Sequence, residues 1–488
     1  MALLAESGLA DSKPRSESYT SPASLALLAG VPVLVALWAL LSPGLVLSSE
    51  MTWDFLYNLS GAWHLQHGHV AHVDFHEPVG QLNFMLTLLG FELVGPTPFA
   101  FLVGVAIVAA VVFVSASAAA MRRLPVPPAA LFVIFASLLV LMPANVGDTP
   151  NAYSFAMSYN RYGWSLLCIL ALILFVPPRD RVAGDWIDVA NAGLLLAALF
   201  YLKVTYFAGG LAFVGLAVLI SPHIRAHLSA WLAIGAFVLS QNHQSHGLPV
   251  GIVIAFLLYD QIRERFGSAV PVLPMLMVFP LFAIGTSALS LQGYHARAGR
   301  EALLQVVDRT QLKGLAVPGE RRGLLAAFAE GWFGHALLNR SRATQPRFEL
   351  SPAEYVETIV EAAALLGDGR HCRGGVVVLD QVNPFPFMLG WPPPRGGNLW
   401  SGPGAPVRPA GEVFAEAEHV LIPKFSSYSI WTEQARRDYG PYLSENFRVH
   451  EETQSWIVLS REGTVTPRPD GRTPCDIDRG PRIAAPPL

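Results

Sequence analysis

The sequence predicts a polytopic α-helical membrane bundle, about nine spans plus juxtamembrane helices, followed by a C-terminal soluble α/β domain. Three observations predict it. Only 14% of the 488 residues are charged and 52% are hydrophobic, whereas a soluble domain carries roughly a quarter charged residues. Long apolar runs recur as far as residue 291. Beyond residue 292 charges and prolines become common, and no further run is long enough to span. The formal net charge of -3 points to no nucleic-acid partner.

Residues 1–23 are polar, carry Lys13 and Arg15, and read as a cytoplasmic tail. The run 24–47 has the length of a full span and is followed by no convincing cleavage site, so it reads as an uncleaved anchor. Further runs lie at 81–95, 98–120, 124–142, 162–178, 186–203, 205–221, 228–241, 247–260 and 271–291. Basic residues cluster at Arg122–Arg123, Arg179 with Arg181, Arg225, and Arg263 with Arg265. If all of these face the cytoplasm, an even number of spans separates each cluster from the next. The run 81–95 is the shortest between Arg15 and Arg122, so the parity lays it flat on the outer face. The short runs 228–241 and 247–260 form either two spans or a re-entrant pair, and "SQNHQSHGLP" (240–249) between them reads as the lining of a watery cavity or a plain hairpin turn. The domains are then the tail 1–23, a membrane domain 24–291 with an outer loop 48–97, and an extracytoplasmic (periplasmic) domain 292–488. The protein is expected in the plasma (inner) membrane with its N-terminus cytoplasmic.

The outer loop contains "SEMTWDFLYNLSGAWHLQHGHVAHVDFHEPVG" (49–80), rich in carboxylates and histidines and without lysine or arginine. Residues 53–65 have helical spacing, with Trp53, Leu56, Tyr57 and Trp63 as a membrane-facing stripe and Asp54 with Asn58 on the other side. In the C-terminal domain "GGVVVLD" (374–380), "HVLIPKF" (419–425) and "SWIVLS" (455–460) read as strands. "SPAEYVETIVEAAALL" (351–366) reads as a helix, with Ser351 as cap, Pro352 first and Glu354 three residues after the cap. The proline- and glycine-rich 383–400 reads as irregular. Cys372 and Cys475 could pair in an oxidising compartment; ordinary buried thiols are the other reading.

The anchor, the outer loop with Asp54 near its start, Asp74-Phe75 with Pro78 and Gly80, and an interfacial helix ending in "GPTP" resemble the GT-C-type membrane glycosyltransferases. That superfamily includes the protein O-mannosyltransferases and the lipid A aminoarabinose transferases. The resemblance covers roughly residues 24–220 and departs at Phe55, where a tandem acidic pair is expected. It implies a sugar donor on polyprenyl phosphate, an outer-face glycan, lipid or protein acceptor, and a catalytic or donor-binding role for Asp54. Asp148 matches the acidic residue of a second outer loop.

The residues themselves support parallel readings. Asp54 is a base for the acceptor proton or a first-turn acid favoured by the helix dipole. Asp74, His76 and Glu77 position the acceptor or a metal, or close a solvated loop. Asp148 does the same or serves a turn. Arg161 and Lys203 stand on the outer side against the positive-inside bias, among aromatics, as phosphate ligands or snorkelling residues. No metal set is evident: His64, His67, His69, His72 and His76 share no helical face, and a divalent cation on the carboxylates is the remaining option. The alternative functions are a non-catalytic binder of a lipid-linked glycan and a transporter or flippase.

Overall fold

A computed structural model describes residues 21–144, 151–178, 185–219, 255–256, 258–259, 262, 272–300, 304–318, 350–368, 374–402, 405–425 and 429–461. Asp148, Cys372, Cys475 and the 240–249 segment lie outside the described residues.

Helix α1 spans Pro22–Leu41, with Pro22 in its first turn and the Ser21 hydroxyl accepting the Ser24 N–H. The helices that follow are α2 (Thr52–Gln66), α3 (Leu82–Val94), α4 (Pro98–Met121), α5 (Val126–Leu141), α6 (Ser158–Phe175), α7 (Asp185–Leu202), α8 (Val204–Leu219) and α9 (Val272–Ala298). Among the described residues, four stretches are long and apolar enough to cross a membrane: Pro22–Leu41, Pro98–Met121, Ser158–Phe175 and Pro274–Ala298. Shorter apolar helices pack among them. The protein is a membrane protein of helical architecture: α1 leaves Leu27, Val31, Leu34, Val35 and Trp38 exposed, a surface that suits lipid and not water.

Polar contacts mark the two ends of the bundle. At one end Arg122 and Arg123 pair with Asp188 at the start of α7, and Arg123 also donates to the carbonyls of Ala119, Ile173 and Val176. Arg123 is almost completely buried, so these partners are what make its charge tolerable there. At the other end the Tyr294 hydroxyl of α9 donates to Leu45 O and accepts the Leu47 N–H, and Gly80 N–H donates to Leu202 O.

Helix α3 differs from the flat placement. It packs lengthwise and antiparallel against the first half of α4: Gly90 touches the Ala100 carbonyl and Gly104 the Leu86 carbonyl. The approach is too close for a Cβ at either glycine. Run length and charge parity carry no information about such small-residue contacts, which let two backbones meet.

The C-terminal part of the chain is joined to the bundle by a three-stranded sheet of order β1-β3-β2. Strand β1 (Val46–Leu47) follows α1 and pairs parallel with β3 (Leu315–Pro318), which pairs antiparallel with β2 (Leu304–Val306). The larger sheet has the order β4-β5-β7-β6, with β4 (Gly375–Val378) parallel to β5 (Ala417–Pro423). β7 (Trp456–Arg461) runs antiparallel to both β5 and β6 (Phe447–Glu452). Its two faces follow the period of two: Trp456 and Val458 join the main core, while Ile457 and Leu459 join a second cluster with Phe414 and Leu443. Helix α10 (Pro352–Leu366) opens with the expected capping box, Ser351 and Glu354 each bonding the other's backbone N–H. The Trp456 indole N–H donates to Thr358 O and fixes α10 to the sheet.

Further elements depart from the sequence expectation. The polar β6 is an edge strand whose exposed residues carry no burial pattern. Helix α13 (Ser429–Asn446) contains Pro441. The 383–400 stretch includes a helical turn, α11 (Phe385–Leu389), capped by Gly390 in the left-handed region. A one-turn helix α12 (Ala410–Val413) precedes β5.

Candidate functional site

Helix α2 carries the site and is buried on nearly every side. Its cap residue Met51 sits in the left-handed region at φ 49°, a conformation that turns the chain sharply from β1 into the helix. Leu56, Tyr57 and Trp63 do not form the expected membrane-facing stripe. Tyr57 meets Phe84 of α3, and the Trp63 indole donates to Trp391 O in the proline-rich segment. Trp53 packs edge-on against Tyr355 of α10. Spacing identifies a helix face; what covers that face is settled by segments some 300 residues away. Asn58 is also buried, its amide oxygen accepting from the Asn83 side chain.

Asp54 lies in the first turn of α2, partly buried, and burial pushes its carboxyl up from 3.8 to about 7. Glu77 approaches from the loop that follows. One of its carboxylate oxygens accepts the Tyr57 hydroxyl at 3.0 Å and the Val79 N–H at 2.6 Å. The other lies 3.2 Å from Nε2 of the exposed His72. Burial pushes Glu77 up from 4.5 to about 7, against the opposing pull of its two hydrogen bonds. Tyr57 is held far above the ordinary phenol range, first by burial and then by the charges of Glu77, Tyr159 and Asp54. Tyr159, in the first turn of α6, feels both Asp54 and Glu77, and the Lys203 ammonium stands 5.2 Å over its ring. Burial and the charges of Asp380 and Asp54 keep Tyr355 un-ionised.

Asp54, Tyr57, Glu77, Tyr159 and Lys203 thus come from four separate segments at one end of the bundle, with Tyr355 of α10 beside them. Met157, before α6, has the same left-handed φ of 49° as Met51. Two strained turns therefore start the two helices whose N-termini reach the cluster, and such ends favour negative charge. The arrangement offers a carboxyl able to take a proton near neutral pH, a nearby cation and two helix ends.

The other expected site residues are placed differently. Asp74 accepts the Val70 N–H at 2.8 Å and pairs with Arg395 at 3.4 Å, while its carbonyl accepts the Gly396 N–H. His76 exchanges backbone hydrogen bonds with Gly397 and Leu399. Both tie the outer loop to the proline-rich segment, apart from the partners that Glu77 makes with Tyr57. Arg161 is buried, and its guanidinium donates to Ala144 O at 3.1 Å and Ser154 O at 3.4 Å. It ties Ala144, after α5, to Ser154, before α6. The histidines also divide: His64 and His69 share an Nδ1–Nδ1 hydrogen bond of 3.0 Å, and burial lowers His64 to about 3. Among the described residues no group of three or more His, Cys, Asp or Glu could hold a metal ion.

Sequence reasoning missed Tyr159 and Tyr355, and assigned Tyr57 to lipid. The segment "SYNRYGW" (158–164) stands out by its arginine, but no local signal links a tyrosine to an aspartate about 100 residues earlier.

No known family profile matches the chain, and no curated protein sequence matches it. One solved structure, titled ArnT from Cupriavidus metallidurans in the apo state, aligns over 89% of this chain and 97% of that one, with 11% identity and a TM-score of 0.30. A likeness at that level carries no argument about this chain.

Proposed function

We propose that this protein is a membrane glycosyltransferase that moves a sugar from a polyprenyl-phosphate donor to an acceptor on the face where the C-terminal domain lies, with Asp54 as base. The observation that carries the reading is Asp54 itself: a carboxyl at the bundle end whose proton affinity burial tunes to about 7, where a general base works best. Asp54 takes the proton of an acceptor hydroxyl. The hydroxyl oxygen bonds to the anomeric carbon as that carbon's bond to the phosphate breaks. Polyprenyl phosphate leaves with its negative charge, opposed by Lys203 and the helix ends. Glu77 and Tyr57 hold the loop that faces Asp54, and Glu77 is the second carboxyl available to an acceptor hydroxyl.

The test compares the parent with Asp54→Asn for folded yield in detergent, then for binding and turnover of a panel of polyprenyl-phosphate sugars. Turnover lost from Asp54→Asn with yield and donor binding kept supports the reading. A parent that binds a lipid-linked sugar but never turns it over replaces it with the non-catalytic binder.

A further inference from the structure

Lys203 stands at a corner. Helix α7 ends at Leu202 and α8 begins at Val204, and the chain turns back between them, because Gly210 lies against the side chains of Leu196 and Leu199. In one straight helix those positions would be roughly 16–21 Å apart. Lys203 belongs to both sides of the corner: its N–H donates to Leu199 O at 3.0 Å, and its carbonyl accepts the Tyr206 N–H at 3.0 Å. The Leu202 carbonyl takes its donor from outside the two helices. Gly80 N–H, from the loop before α3, donates to it at 2.7 Å.

Gly80 is backed against this corner. A Cβ there would overlap the Tyr201 carbonyl and press on the carbonyl carbon of Leu202. Both are backbone atoms, so room for a side chain comes only if the corner itself moves. Gly80 does not have a left-handed backbone, so closeness alone is what excludes a side chain. The segment is also held at its other end, where Glu77 accepts the Val79 N–H at 2.6 Å and the Tyr57 hydroxyl at 3.0 Å. Pro78 between them is exposed and restricts the backbone. Residues 77–80 therefore run from the buried carboxyl to the corner that carries the cation. From that corner the Lys203 ammonium reaches 5.2 Å over the Tyr159 ring, and Tyr206 donates to the neighbouring Asn160 at 2.9 Å, which holds α8 on the α6 side.

We propose that Gly80 is a positioning residue: it seats the corner 201–203 so that the Lys203 ammonium lies over Tyr159, and a side chain at position 80 displaces that cation. The consequence for binding a donor phosphate rests on the proposed transfer, whereas the placement of Lys203 does not.

The experiment uses the full chain in detergent micelles with isotope-labelled lysine. The lysines are Lys13, Lys203, Lys313 and Lys424, and the side-chain resonance missing from Lys203→Met is that of Lys203. Spectra are read on the parent, Gly80→Ala and Pro78→Gly. Binding of polyprenyl phosphate is titrated on the parent, Gly80→Ala, Lys203→Met and the double variant. In the parent the Lys203 Hε resonance should lie upfield of the other lysines, as protons over an aromatic face do, and it should move towards them in Gly80→Ala. Polyprenyl phosphate should bind at least about tenfold more weakly to each single variant, and no more weakly to the double variant than to Lys203→Met, because both changes remove one interaction. A general loss of packing would add to the loss in Lys203→Met. If Gly80→Ala does not fold, Pro78→Gly, at an exposed position, loosens the segment and the same resonance decides. A Lys203 resonance unmoved in the folded variant, or losses that add, overturns the proposal. Polyprenyl phosphate that binds Lys203→Met as tightly as the parent overturns the phosphate role of Lys203 instead, and the resonance still tests the seat.

Discussion

Replacing Glu77 by Gln tests the buried carboxyl without changing its shape. The Gln oxygen can accept the Val79 N–H and the Tyr57 hydroxyl, and its amide nitrogen faces Nε2 of His72, now 3.2 Å from the carboxylate. What disappears is ionisation. Glu77 is 1% exposed, so solvent screens little of the effect. A carboxyl raised from 4.5 to about 7 on folding makes the folded protein bind more protons than the unfolded chain between those values. Stability therefore falls as pH rises through that window. The corresponding free energy is about 3 kcal/mol once pH exceeds the folded value. Gln has no such loss. Glu77→Gln should match the parent near pH 4 and exceed it by up to about 3 kcal/mol at pH 8–9. Reversible unfolding in mixed micelles, read by tryptophan fluorescence across that range, measures the difference. A difference that stays constant with pH, within the roughly 0.5 kcal/mol of an ordinary surface change, would refute the buried-carboxyl argument.

Other predictions follow from the same contacts. If Asp54 is the base, log kcat/KM of the parent should rise with unit slope below about pH 7 and level off above it; a flat profile from pH 5 to 8 removes Asp54 from that role. Asp188→Ala leaves Arg123 buried without its carboxylate and should destabilise the bundle by about 3–5 kcal/mol, seen as lost folded yield on size exclusion. Ser351→Ala breaks the capping box of α10 and should lower stability by about 1 kcal/mol, read by chemical unfolding. Lys203→Met should weaken binding of a polyprenyl-phosphate sugar at least tenfold, measured by titration.

Much of the architecture is carried by local sequence signals. Apolar composition and run length determine that α1, α4, α6 and α9 are long apolar helices, because a lipid-facing helix must be apolar over its whole length. Ser351, Pro352 and Glu354 determine where α10 begins, because capping is satisfied within four residues. The alternation in 456–459 determines a strand with two covered faces. Asp54 could be singled out in the same local way, as a carboxylate just beyond an anchor.

The tertiary structure alone decided which groups Asp54 meets. Tyr159 and Tyr355 come within reach of its charge, and Lys203 within reach of the Tyr159 ring, through packing of distant segments, and no spacing rule connects them. It also decided that Glu77 belongs with Tyr57 while Asp74 and His76 tie down the segment 394–401, although the three acidic and basic groups are near neighbours in sequence. Arg161 and Lys203 look alike in sequence, each a cation among aromatics. They part because the Arg161 guanidinium finds backbone carbonyls to satisfy it and the Lys203 ammonium lies over the Tyr159 ring. Charge and hydropathy are properties of single residues and short runs, whereas the partner that uses up or frees a polar group is set by long-range packing.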